Sequence, residues 1–376
     1  MSEPAAVAKA TMFPRFGSDL KSKALLGAVI VLAILYPILD SNASHVSSAA
    51  DAGVFVLLAL GLNIVVGYAG LLDLGYAAFF AIGSYAYGFL ASPRFGIHLA
   101  FWLMLPIAGI IAAIFGIILG APTLRLRGDY LAIVTLGFGE IVPVIFLNAD
   151  KYTNGPNGIN ALDPPVVGSY NFGHNPLPYY FVVLFLIALI VIIIRRLRDS
   201  PLGRAWMAIR EDEVAAAAMG IDTVKTKLFA FAIGASFSGI GGVVYSSKLG
   251  LVTPDNFRFS TSAFILSMVV LGGMGNIPGV ILGAVILFEL QSLILTQMTI
   301  WSHQLGAFTH IGFLDQLDFV NLKFLLYGLA LVLMMLFRPE GLLPSARRRM
   351  ELHATPEVAA SESQELYDVS TEAQSA

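Results

Sequence analysis

The residues able to do chemistry in this sequence are few, and many of them sit together. Between two strongly apolar stretches lies SPLGRAWMAIREDEVAAAAMG, Ser200 to Gly220, in which Arg204, Arg210, Glu211, Asp212 and Glu213 mix both signs of charge. No nucleophile stands beside a base there, so these charges suit holding a partner, not making bonds. Other polar groups lie inside apolar runs: Glu140 in TLGFGEIV, Glu289 in LFELQS, and Asn63, Asp73 and Thr135. Ionisable groups in such runs are costly, and they mark a substrate path, a gate, an interhelical hydrogen bond or a carboxyl kept neutral by burial. The six histidines (His45, His98, His174, His303, His310 and His353) have no ligand-like spacing, so no metal site is expected. The chain has no cysteine, which excludes disulfides and thiolate chemistry. It also lacks a G-x-x-x-x-G-K-[ST] loop, so it is not expected to cradle ATP phosphates.

The elements that must position these groups are written in the composition. Of 376 residues, 57% are hydrophobic and 12% charged, with mean hydropathy +0.79. Soluble domains carry about 25% charged residues. The expectation is an all-α polytopic membrane protein. About ten apolar segments can be marked, near 24–39, 51–67, 71–91, 99–120, 130–147, 178–195, 225–247, 261–273, 278–297 and 322–337, several shorter than the ~20 residues of a perpendicular span. With the amino terminus inside, the alternating loops place seventeen lysines and arginines on the cytoplasmic side, among them Arg125, Arg127, Arg195, Arg196, Arg198 and Arg347 to Arg349. Only Arg94, Lys151, Lys248, Arg258 and Lys323 fall outside. By the positive-inside rule both termini are cytoplasmic and the span count is even. Residues 1–23 read as a cytoplasmic segment, 24–345 as the membrane domain, and the acidic, Ser- and Ala-rich stretch 346–376 as a disordered tail.

Two apolar runs are broken. NIVVGYAGLLDLGY, Asn63 to Tyr76, carries glycines and an Asp; VVLGGMGNIPGVILG, Val269 to Gly283, carries Gly272, Gly273 and Gly275 ahead of Pro278. Non-helical backbone at membrane depth is buried in protein or lines a wet cavity, and broken segments mark transport paths. For Gly272 to Gly279 a tight cytoplasmic turn is the alternative. Outside, TNGPNGI places Asn154, Gly155, Pro156, Asn157 and Gly158 in turn chemistry. It is either an ordered external loop or a docking or gating loop for whatever delivers substrate.

Within Ser200–Gly220, Ser200-Pro201 is a helix start and Met219-Gly220 a helix stop. Trp206, Ile209, Ala216 and Ala217 form a narrow apolar stripe, and Asp212 is placed to restart the helix. Three consecutive acids, Glu211 to Glu213, disfavour an anionic lipid surface, so docking to a soluble partner is preferred to an amphipathic connector.

Several long motifs, in order, resemble those of permease subunits of ABC importers for branched-chain amino acids, a group that includes urea and related amide permeases. They are ALGLNIVVGYAGLLDLGYAAFFAIGSY (Ala59–Tyr85), PTLRLRGDYLAIVTLGFGEI (Pro122–Ile141), TNGPNGI (Thr153–Ile159), SPLGRAWMAIREDEVAAAAMGI (Ser200–Ile221), MVVLGGMGNIPGVILGA (Met268–Ala284) and FRPEGLLP (Phe337–Pro344). The resemblance implies a multi-pass protein of the bacterial inner membrane, not itself an enzyme. It implies that Arg204, Trp206, Ile209, Arg210, Glu211, Asp212, Glu213, Ala216 and Gly220 belong to a coupling helix seated in a groove of an ATPase subunit. The general importer pattern there is Glu-Ala-Ala, three residues, Gly; Glu213-Val214-Ala215 to Gly220 is one residue longer. The implied partners are a second related permease, two ATPase subunits carrying the ATP and Mg that this chain does not bind, a periplasmic or lipid-anchored binding protein, and membrane lipids, with no nucleic acid. The implied substrate is a branched-chain or hydrophobic amino acid, with urea or a short amide as the alternative. A self-sufficient secondary transporter or channel would need its own coupling-ion site or filter, and the insert would be superfluous to it.

The charge asymmetry predicts that Arg127, Arg198 and Arg349 face the cytoplasm and Asn157 the outside. In intact cells an impermeant thiol reagent is expected to label Asn157→Cys and to spare Arg198→Cys, in a background free of native cysteine. Labelling of Arg198→Cys would overturn the topology.

Overall fold

A computed structural model describes residues 31–40, 42–123, 129–173, 175–309, 318–319, 322–338 and 341–343. The segment 1–23, the tail 346–376 and the arginines Arg125, Arg127 and Arg347 to Arg349 lie outside the described residues. The chain is overwhelmingly helical. Among the described residues six helices are long and apolar enough to cross a membrane: Ala43–Tyr68, Phe101–Thr123, Tyr130–Asn148, Pro176–Arg198, Thr223–Leu249 and Ile277–Leu305. Ala77–Leu90 and Phe259–Gly272 are shorter apolar helices.

The helices begin and end where polar caps and glycines dictate. Helix α1 covers 31–39. Helix α2 (Ala43–Leu62) starts on Asn42, whose side chain accepts from Ser44 N, eight residues before the apolar run read from the sequence. The polar first turns of α2 are accommodated because Lys248 pairs with Asp51 at 2.6 Å and donates to Ser47 O at 2.7 Å, while Ser48 donates to Glu289 at 2.8 Å. Glu289 is thus part of a hydrogen bond between helices. The chain then forms α3 (Ala77–Leu90), α4 (Phe101–Thr123), α5 (Asp129–Asn148), the single turn α6 (Asp150–Thr153) and α7 (Pro176–Asp199). Asn175 caps α7 with Pro176 in its first turn. After the insert helices α8 (Pro201–Glu211) and α9 (Glu213–Ala218) come α10 (Thr223–Leu249), capped by Asp222 and closed by left-handed Gly250, then α11 (Phe259–Gly272) and α12 (Ile277–Glu289). Helix α12 widens into a π turn, Leu290–Leu295, and continues as α13 (Thr296–Thr309); α14 is Lys323–Phe337.

Helix α10 is the axis of the bundle, packed against α4, α3 and α2. It can be central because it is built from small residues. A methyl on Gly239 would come within 2.6 Å of the Ala112 methyl and 2.7 Å of Ala108 O, and one on Gly83 would overlap Gly239 itself. In lipid, where apolar burial between helices gains little, such close backbone approach is what holds helices together.

Among the described residues three two-stranded ribbons, two of them hairpins, close the end of the bundle opposite the insert. Ala91–Ser92 pairs with Ile97–His98, Ile159–Asn160 with Leu251–Val252, and Val166–Val167 with Tyr170–Asn171. Arg94 ties this layer to α6 through the carbonyls of Tyr152 and Lys151.

Candidate functional site

The insert is a folded, internally tied unit. Ser200 Oγ accepts from Gly203 N at 3.3 Å, and Pro201 fills the first helical position. Asp212 ends α8 and starts α9, its carboxylate accepting from Val214 N at 2.8 Å and Ala215 N at 3.0 Å, so the restart expected at Asp212 is present. Trp206 is fully buried and donates its indole N–H to Thr226 O at 2.7 Å, in the first turn of α10. Ile209 and Ala216 are buried with it, while Ala217, assigned to the same stripe from its spacing, is exposed. Arg204 donates to Asp199 O at 2.9 Å. Gly220 has φ +86°, a left-handed exit that a side chain would strain. Where α10 begins, the Lys225 ammonium on Asp222 at 2.9 Å holds the Asp222 carboxyl below the usual carboxylate range.

Two of the charged side chains expected to meet a soluble partner make bonds within the chain. Arg210 donates from Nη1 to Gly67 O at 2.6 Å, and its stem lies over Gly70, where an added methyl would come within 2.7 Å. Glu213 pairs at 2.5 Å with Lys227, whose side chain is only 6% exposed. A lysine buried near a helix start needs an anion, and Glu213 is the acid within reach. Glu211 and Asp212 remain exposed. From Val214 onward the outward face is apolar: Val214 is 66% exposed and Met219 84%, with exposed Ala215, Ala217 and Ala218 around them. A charge-led reading passes over Val214 and Met219. The signal was that the apolar residues of α9 outnumber what one buried face can hold.

The insert meets both breaks. The first is a π turn, Asn63–Tyr68, at the end of α2. Asn63 is fully buried and its Oδ1 accepts from Gly275 N at 2.8 Å. Only glycine fits at 67, since a methyl there would overlap the Asn63 side chain and approach Gly275 N within 2.6 Å. Residues 69–76, within the stretch Asn63 to Tyr76 that the sequence marks as broken, are non-helical. Asp73 accepts from Gly75 N at 2.9 Å, Leu74 N donates to Thr135 Oγ1 at 3.1 Å, and Tyr76 donates to Gly234 O at 2.8 Å. The first two bonds satisfy a backbone that has left the helix, and the third ties it to α10. The second break, Gly272 to Asn276, is a tight turn between α11 and α12. Gly273 (φ +111°) and Gly275 (φ +80°) make the reversal, and Gly272 lies face to face with Gly279. The carboxyl-terminal motif docks on it: Leu342 N donates to Leu271 O at 2.8 Å, and Asn276 Nδ2 to Leu343 O at 2.7 Å.

Asn63, Asp73 and Thr135 are therefore buried, braced residues. Glu140 differs. It is exposed on α5, and its carboxylate accepts from Phe259 N at 2.9 Å, at the start of α11. The loop Thr153–Ile159 is also tied down. Thr153 Oγ1 donates to Phe146 O at 2.6 Å, Asn154, Gly155 and Gly158 have positive φ, and Ile159 pairs with Val252. Pro156 and Asn157 are its exposed residues. Among the described residues no cluster of three His, Asp or Glu side chains could hold a metal ion.

A helical bundle of membrane-crossing length, closed at one end by short strand pairs and at the other by a capped insert tied to two helix breaks, is that of a polytopic membrane protein. Residues 44–336 match the family model of the branched-chain amino acid transport system permease component, and the chain belongs to that family. It is 41% identical over 358 residues to the high-affinity branched-chain amino acid transport system permease protein LivM of Escherichia coli (strain K12), covering 89% of this chain and 78% of that protein. It is 28% identical over 323 residues to the probable permease LivM of Methanocaldococcus jannaschii, covering 78% and 91%. The Escherichia coli (strain K12) permease LivH is more distant, at 26% over 248 residues, covering 62% and 79%. No solved structure matches the chain.

The Glu213–Lys227 pair makes a prediction. Glu213→Ala leaves Lys227 buried without its anion and is expected to destabilise the purified permease by about 2 kcal/mol, less than a wholly buried pair because water reaches Glu213. Adding Lys227→Met is expected to restore most of the loss. Thermal unfolding of the single and double variants checks this; a double variant no more stable than Glu213→Ala would contradict it.

Proposed function

We propose that this chain is the membrane-spanning permease subunit of an ATP-driven importer. It translocates branched-chain and other hydrophobic amino acids delivered by a periplasmic or lipid-anchored binding protein. The observation that carries the reading is the family match over residues 44–336, within which the insert lies. The geometry supplies a mechanism. An apolar knob on α9, built from Val214 and Met219 and held by Trp206, Ile209 and the Glu213–Lys227 pair, docks on an ATPase subunit, where ATP and Mg are used. Coupling passes through this surface, because this chain contributes no phosphate-binding loop of its own.

The bundle fits ten crossings in the inner membrane, with both termini cytoplasmic. They are α1, α2 with its π turn, 69–90, α4, α5, α7, α10, α11, α12 with α13, and α14. The insert, both breaks and residues 341–343 then lie on the cytoplasmic side, and the layer of strand pairs outside, where Pro156 and Asn157 meet the binding protein. Relatives of this chain include two different permeases of one organism, LivM and LivH, which supports a second, related permease beside it. Glu140 is exposed on a membrane helix, where a carboxylate facing lipid is costly. It therefore faces the translocation path between the two permeases, where a zwitterionic solute passes.

The test is pull-down of the ATPase subunit at matched membrane levels. Val214→Asp with Met219→Asp places charge in the apolar docking surface, and ATPase recovery and uptake are both expected to fall at least tenfold. Wild-type recovery with wild-type uptake would mean that the insert is only a connector.

A further inference from the structure

Trp206 and Glu213 fasten the insert to the first turns of α10, on the same stretch of chain. Arg210 crosses to a different wall. Its guanidinium reaches Gly67 O, at the open end of the helix formed by α2 and its π turn, where carbonyls have run out of intrahelical donors and a cation complements the helix dipole. The same π turn holds the α11–α12 turn through Asn63 Oδ1 and Gly275 N, and Gly275 lies beside the Arg210 guanidinium. Beyond Gly67 the chain enters the non-helical stretch that Leu74 N fastens to Thr135 of α5, the helix that carries Glu140.

We infer that Arg210 is the positioning residue through which movement of the docked insert reaches the membrane helices. This rests on the reading of α9 as the ATPase-docking surface. The guanidinium caps the helix that leads into the first break and borders the turn of the second, so displacement of α8 pulls on both breaks together. From the first break the contact chain runs through Leu74 and Thr135 to α5.

The experiment uses the complete importer, both permeases with ATPase subunits and binding protein, in proteoliposomes. Uptake per ATP hydrolysed is measured beside ATPase recovery. For Arg210→Ala, recovery and basal hydrolysis are expected to stay within twofold of wild type, while uptake per ATP falls tenfold or more. Arg210→Lys, which keeps a cation at the carbonyl, is expected to restore part of that ratio. If Arg210→Ala fails to reach the membrane, Arg210→Gln is read by the same ratio. A merely structural Arg210 would lower permease level and recovery together and leave uptake per ATP unchanged; that result would overturn the inference. The docking reading fails separately, if Val214→Asp with Met219→Asp leaves ATPase recovery intact.

Discussion

Backbone that leaves the helix inside a membrane must find donors and acceptors within the protein, and the rest of this structure follows from how that demand is met. The break after α2 is closed by groups brought from across the sequence, Arg210 on Gly67 O and Thr135 on Leu74 N, while its own side chains reach outward, Asn63 Oδ1 accepting from Gly275 N and the Tyr76 hydroxyl donating to Gly234 O. The turn between α11 and α12 is closed from the carboxyl-terminal side, by Leu342 N on Leu271 O. Each break thus becomes a point where several elements are tied together. The insert, which looks from its charges like a surface feature, belongs to this network.

The glycines serve the same demand in another way. Helix α10 reaches the centre of the bundle because Gly234, Gly239 and Gly242 let α2, α4 and α3 approach its backbone, and Gly272, Gly279 and Gly283 do the same for α11 and α12. Bundles packed backbone to backbone slide or tilt as units more readily than they deform, since each contact is short and unforgiving. An importer needs motion of this kind: a push at one end of the bundle that arrives at the other without being absorbed.

Much of this was legible in the sequence for local reasons. Ser200-Pro201, Asp212 and Gly220 bound the insert helices because capping chemistry acts over three or four residues. The run boundaries of α4, α5, α7 and α10 follow hydropathy closely. The errors are long-range. Hydropathy starts α2 at Asp51, but Lys248 and Glu289, some two hundred residues away, make its polar first turns tolerable in the bundle. The break at Asn63 to Tyr76 was marked by its glycines and Asp73, but its partners on α5 and α10 are far away in sequence and carried no local signal. The charges of Arg210 and Glu213 gave no direction; Gly67 O and buried Lys227 did, and neither is near them in sequence. The turns of Thr153–Ile159 fared better, since Asn-Gly turn chemistry is local.

The central claim is that the insert and the two breaks form one junction that moves as a unit. The absence of native cysteine allows spin labels at Ala217→Cys on α9 and Met274→Cys in the α11–α12 turn, with a second pair joining Ala217→Cys to Asn157→Cys at the opposite end. Distances are measured by pulsed electron resonance in the assembled importer, with and without ATP. The account predicts that the 217–274 distance stays constant within about 2 Å while the 217–157 distance changes by more than that, as expected when packed units shift against each other. A 217–274 distance that changes with ATP while 217–157 stays fixed would contradict it.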